Sequence, residues 1–133
     1  MATVEKFEDL AIWQEAVALF KLLYLYTEHP AYRENFRLRD QIRSSAGSIA
    51  DNIAEGFERA GKGEFLQSLY IAKGEAGELR SQLIRSREIG LLTDQQFEKC
   101  YEMVTVLSRR IFQLTEYLKK TDYKGLKFKD RKP

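Results

Sequence analysis

With 133 residues, 44% hydrophobic and 32% charged, the chain fits one domain that buries roughly two-thirds of its unfolded surface, a composition that excludes general disorder. Its 22 basic and 20 acidic side chains leave a net charge of +2. It is therefore no polycation, and binding to nucleic acid requires basic residues gathered on one face or multiplied by self-association. Cys100 is the single cysteine, which excludes an internal disulfide and a multi-cysteine metal site. The opening stretch "MATVEKFEDL" has no apolar signal core, and no run approaches the roughly 18 apolar residues of a membrane helix. A cytoplasmic protein without a membrane partner is expected.

Pro30 and Pro133 are the only prolines, so the long interval between them is open to helix. Periodicity near 3.6 residues predicts four helices. The first covers residues 8–29 and stops before Pro30, because the residue preceding a proline is pushed out of the α region. Its core stripe reads Leu10, Trp13, Val17, Phe20 and Tyr24. A second apolar stripe, Ile12, Leu19, Leu22 and Tyr26, lies more than a quarter-turn away and calls for a second burial partner.

The second helix covers residues 37–59, with Leu38, Ile42, Ile49 and Ile53 inward. The third covers residues 61–90, with Phe65, Leu69, Ala72, Ala76, Leu79 and Leu83 inward and Gly90 as the left-handed residue that closes it. The fourth opens at Thr93, which forms a capping-box pattern with Gln96. It runs to residue 120 through Phe97, Tyr101, Val104, Leu107, Ile111, Leu114 and Leu118. Short connections make successive helices antiparallel, so residues 1–120 read as an all-α, up-down-up-down four-helix bundle. The tail, residues 121–133, has no periodicity and is basic, and a mobile segment is expected.

Within "SSAGSIADNIAEGFER", residues 44–59, Ala46, Ala50 and Ala54 recur every four residues and form a smooth ridge for a close helix neighbour. Beside the isoleucines runs a polar row of Gln41, Ser45, Ser48, Asn52, Glu55 and Arg59. Glu55 and Arg59 form an i, i+4 pair, and Asn52 is expected to bond to a neighbouring helix. This polar edge reads first as structural, with ligand contact as the alternative. Glu75 and Glu78 invite comparison with di-iron bundles, but such sites need Glu-x-x-His repeats. His29 is the only histidine, and it stands at a helix end where positive charge is favoured. Cys100 falls on an inward position and reads as a small core residue. "GKGE" at Gly61 lacks the spacing of a phosphate-binding loop. No catalytic constellation, metal site or cofactor site emerges, and an enzyme is not expected.

The basic residues carry more weight. Arg37, Arg39 and Arg43 cluster at the start of the second helix, and Arg59 and Lys62 flank the turn that follows it. Lys73, Arg80, Arg85 and Arg87 decorate the third helix, and Arg109 and Arg110 the fourth. At the C-terminus Lys119, Lys120, Lys124, Lys127, Lys129, Arg131 and Lys132 oppose only Asp122 and Asp130, a balance that suits an anionic partner. The third helix carries a further outer stripe, Leu66, Tyr70, Gly77 and Ile84, interrupted by Lys73. Together with the extra stripe on the first helix it argues for self-association.

The fragments "SIADNIAEGFER", Glu64-Phe65 and "LYIAKGEAGEL" in combination resemble the small four-helix-bundle proteins encoded within intervening sequences of bacterial 23S ribosomal RNA genes. The likeness runs from "FEDLAIWQEA" to "LTDQQFEKCYEM", nearly the whole chain apart from the tail. The resemblance implies an antiparallel bundle assembled as a ring-like homopentamer. A related branch, the accessory protein of diversity-generating retroelements, presents a basic surface to nucleic acid and to a reverse transcriptase; those relatives are more strongly basic than this chain.

The expectation is a non-enzymatic homo-oligomer, pentameric by the resemblance, that binds RNA or other nucleic acid. Arg37, Arg39, Arg43, Lys124, Lys127 and Lys129 are the leading contacts, with Arg59, Lys62, Arg109 and Arg110 behind them. The competing reading is an oligomeric scaffold for a protein partner, with charges serving solubility. An enzyme whose site forms between subunits is a distant third.

Overall fold

The computed structural model describes residues 3–121 and 128–129. Among them four α-helices dominate: α1 (Ala11–Tyr26), α2 (Phe36–Glu58), α3 (Lys62–Glu88) and α4 (Asp94–Lys120). None is long and apolar enough to cross a membrane. A two-residue antiparallel ladder, β1 (Thr3–Val4) with β2 (Phe128–Lys129), joins the two ends of the chain. The expected mobile tail otherwise lies outside the described residues.

The bundle is all-α, as the periodicity indicates. Arg85, in the last turns of α3, donates to the Gln41 side chain near the start of α2 at 3.2 Å. Lys62, at the start of α3, donates to the Thr121 carbonyl at the end of α4. α3 therefore runs antiparallel to both α2 and α4. Every inward residue expected on α2 and α3 is buried, and so are those of α4 except Tyr101, which is half-buried.

Two helix boundaries follow from local chemistry. Gly90 takes φ 78, its N–H bonds to the Arg87 carbonyl and the Leu91 N–H to that of Ser86. This doubly bonded stop closes α3 where the sequence places it. At α4, Thr93 Oγ1 accepts from the Gln96 N–H while Gln96 Oε1 accepts from the Thr93 N–H, both at 3.1 Å, completing the capping box.

α1 departs from expectation in extent and in phase. A 3-10 turn at Phe7–Asp9 precedes it, and it ends at Tyr26. The Thr27 hydroxyl donates to the Leu23 carbonyl at 2.7 Å. Pro30 then opens a separate 3-10 turn, Pro30–Arg33, which His29 caps by accepting the Ala31 N–H at Nδ1. The core stripe of α1 is Ile12, Ala16, Leu19 and Leu23. Ile12 and Leu19, expected on an outer self-association stripe, are thus buried within the bundle (6% and 1% exposed), whereas Tyr24, expected in the core, is 43% exposed. Trp13, Val17 and Phe20 are half-buried at its edge. The reason is that α1 is apolar on more than one side. Its periodicity fits two phases, and packing against α2 and α4 selects one.

Along the alanine ridge Ala46 and Ala50 are buried and Ala54 half-buried, and a close approach of α2 to α3 lies just beyond it at Gly56. A Cβ there would stand 2.4 Å from Ser68 Cβ and 3.2 Å from Phe65 Cδ1. Beside it Phe57 and Phe65 meet edge to face, with centroids 5.8 Å apart.

Gly56→Ala is accordingly expected to destabilise the fold by about 1–3 kcal/mol, because the backbones of α2 and α3 must separate. Gly77→Ala on α3, whose Cβ would meet nothing within 4 Å, is expected to gain up to about 1 kcal/mol. Urea denaturation of both variants checks the pair.

Candidate nucleic-acid interface

Most of the basic residues singled out by the sequence are engaged within the bundle. Arg39 Nε pairs with Asp40 at 2.9 Å. Arg43 is drawn onto the end of α1: its guanidinium carbon lies 3.7 Å from the Tyr24 ring centroid, Nε donates to Thr27 Oγ1 at 2.9 Å, and Nη2 donates to the Tyr24 carbonyl. Arg59 pairs with Glu55 at 3.4 Å, both exposed. Lys62 is bound to the Thr121 carbonyl. Arg110 forms an ion pair with Glu15 that ties α4 to α1. Lys124 and Lys127 lie outside the described residues, and Lys129 contributes its backbone to β2. Asn52 finds its partner on its own helix rather than across the bundle, Nδ2 donating to the Ser48 carbonyl at 2.8 Å.

Arg37 and Arg109 make no ion pair among the described residues, and the structure sends them to different surfaces. Arg37 joins a groove of about 550 Å³ between α2 and α3, with Asp40, Gln41, Ser44, Ser45, Ser48, Glu75, Glu78 and Gln82. Burial, and then the neighbouring Glu78 charge, raise the Glu75 pKa above the ordinary carboxylate value. Three carboxylates and one guanidinium line this groove; one of those carboxylates, Asp40, is paired with Arg39, and Arg85 donates to the lining Gln41.

Arg109 joins Lys73, Arg80, Thr105, Ser108 and Phe112 in a groove of about 340 Å³ between α3 and α4. Three cations and two hydroxyls line it, with no carboxylate among the lining residues. Lys73 Nζ lies 5.9 Å from the Phe112 centroid, and the Arg80 guanidinium carbon 5.6 Å from that of Tyr101. These ring contacts hold the cations in place without neutralising them. Arg80 Nε and Thr105 Oγ1 are buried and have no hydrogen-bond partner among the described residues. Geometry on the two helices explains the assembly. Lys73, Gly77 and Arg80 follow one another at i, i+4 and i+7 on α3, and Thr105, Ser108, Arg109 and Phe112 at i, i+3, i+4 and i+7 on α4. Gly77 has open space where a side chain would stand.

The α3 stripe expected to support self-association is the same stripe that carries Lys73 and Arg80. Leu66 is half-buried, while Tyr70 (42%) and Ile84 (37%) remain exposed. Lys119 lies over Tyr70, 5.8 Å from its centroid, and hydrogen bonds to Glu116 and Tyr70 raise the Lys119 pKa.

Cys100 is fully buried, and desolvation pushes its thiol up to about 12. Tyr32, in the link before α2, is also fully buried; burial raises its phenol, with Ser86 opposing the shift. Periodicity could not find this residue, because it belongs to none of the four α-helices. Among the described residues no group of three or more metal-ligating side chains comes together.

The four antiparallel helices define an all-α bundle. The family model of the 23S rRNA-intervening sequence protein matches residues 8–113. The chain belongs to that family. Among solved structures, a protein of unknown function from the S23 ribosomal protein family of Bacteroides thetaiotaomicron superposes with a TM-score of 0.72 at 23% identity, covering 80% of this chain and 99% of that one, and so shares the fold. Comparison with the curated proteins gives no match.

Arg43 is expected to act as a clasp between α1 and α2. Arg43→Ala should cost about 1–3 kcal/mol, because its charged hydrogen bonds and its packing on the Tyr24 ring are removed together. Arg109→Ala should stay within about 0.5 kcal/mol of wild type. Thermal or urea unfolding separates the two.

Proposed function

We propose that this protein is a non-enzymatic, self-associating helical bundle that binds RNA through the groove between α3 and α4. The observation that carries the reading is the gathering of Lys73, Arg80 and Arg109 in one groove with no carboxylate among its lining residues. Phosphate attraction depends on such local concentration rather than on a net charge of +2. The family's link to intervening sequences of 23S rRNA supports RNA as the nucleic acid.

Self-association strengthens the proposal, because each added copy repeats the groove and phosphate contacts accumulate; a ring of five would repeat it fivefold. The outer side of α1 supplies the apolar surface, with Leu25 65% exposed, Leu22 and Tyr26 half-buried, and Phe36 51% exposed beyond the turn. This arrangement leaves the α3–α4 groove free. Covering that groove with a second copy would instead desolvate three cations that have no carboxylate beside them.

Binding to a structured RNA should fall steeply with salt. Replacing Lys73 and Arg109 by Gln should flatten the logarithmic slope by about 0.7–0.9 for each phosphate that is no longer neutralised, while Arg37→Gln should leave it unchanged. No binding at about 50 mM salt, or a slope indifferent to the double variant, refutes the groove as the contact. Light scattering at micromolar concentration should give a multiple of 15.5 kDa; the monomer mass alone would remove the self-association claim.

A further inference from the structure

The α3–α4 groove contains more than a phosphate needs. Inorganic phosphate is satisfied by two or three cationic or N–H donors, yet this groove ends in an aromatic ring. Phe112 is 46% exposed, although the buried face of α4 lies within one turn at Ser108 and Ile111. Its ring is held beside the Lys73 ammonium, and it follows Arg109 and Ser108 by three and four residues, so the ring and the groove donors share one side of the helix. The volume of about 340 Å³ is roughly ten times the share of a water molecule in the liquid, room for a group the size of a nucleotide. On the α3 side, Gly77 withholds a side chain between Lys73 and Arg80, with open space in its place.

Cations that track a backbone, set beside an exposed aromatic face, are the combination by which proteins hold unpaired bases. A duplex presents phosphates and keeps its bases stacked inside, so it could use Lys73, Arg80 and Arg109 but would leave Phe112 in water. A second copy of the chain would cover Phe112 at the cost of desolvating the same cations. An acidic peptide would neutralise them and make no use of a flat ring.

We propose that this groove takes one unpaired nucleotide of single-stranded RNA, its phosphate among Lys73, Arg80 and Arg109 and its base stacked on Phe112. The inference rests on the reading of the protein as RNA-binding and adds the preference for unpaired over paired strands.

The test uses the full-length protein and an unstructured RNA of about ten nucleotides, with fluorescence anisotropy at fixed salt. The same strand annealed to its complement is the second probe. Single strand is expected to bind at least tenfold tighter than duplex. Phe112→Ala should weaken the single strand about tenfold, Phe112→Trp should restore it, and neither should alter duplex affinity or the salt slope. Because the ring is exposed, both variants should keep the wild-type circular dichroism spectrum and melting temperature.

Equal affinity for both probes, with Phe112→Ala neutral and the Lys73/Arg109 variant still flattening the salt slope, would overturn the stacking proposal and leave phosphate binding standing. Absence of binding to either probe would remove both. Poly-glutamate competing as well as the single strand would also overturn it, since a purely electrostatic groove would then suffice.

Discussion

The approach of α2 to α3 at Gly56 and Ser68 is the contact on which the rest of the molecule depends. Only a glycine permits it, since a Cβ would meet Ser68 Cβ at 2.4 Å. Further along the same helix Ala72, Ala76, Leu79 and Leu83 are completely buried. The side of α3 turned from α2 then meets α4, and between those two helices lies the basic groove. A wider separation of α2 and α3 would change the tilt of α3 and with it the spacing of Lys73 and Arg80 against Arg109. The fold and the proposed function therefore share one structural cause.

Charge is sorted by the same packing. Arg43 and Arg110 fasten α1 to its neighbours, through Tyr24 and Thr27 in one case and Glu15 in the other. Arg39 and Arg59 answer acids on their own helix. The α2–α3 groove is lined by more carboxylates than cations, and the α3–α4 groove by three cations with no carboxylate among its lining residues. A nearly neutral chain can thus gather cations locally. Such a gathering is set by tertiary placement and not by composition.

The residues that could be read from sequence are those whose partners lie nearby in the chain. The Thr93–Gln96 cap, the Gly90 stop and the inward faces of α2 and α3 depend on spacings of three or four residues, and each stands where spacing puts it. α1 could not be phased in this way, since Ile12 and Leu19 compete with Trp13, Phe20 and Tyr24 for the same role and only the neighbouring helices decide. Tyr32 lay hidden in a link. The candidate interface was legible only in fragments. Arg109 and Arg110 are adjacent in sequence but about 100° apart around the helix; one enters the groove and the other meets Glu15, a partner 95 positions away. Lys73 looked like an interruption of an apolar stripe, and Arg80 like one of several basic residues decorating α3, until α4 supplied Arg109, Thr105 and Phe112 beside them.

The central claim is that the α3–α4 groove, and not the arginine-rich start of α2, receives the anionic ligand. Nitrogen-15 NMR of the arginine Nε–H groups during titration with a short single-stranded RNA tests this most directly. Saturable shifts are expected at Arg80 and Arg109, with Arg37, Arg39, Arg43 and Arg110 unmoved. Shifts confined to Arg37 and Arg39, or no shift at Arg80 and Arg109 at saturation, would contradict the claim.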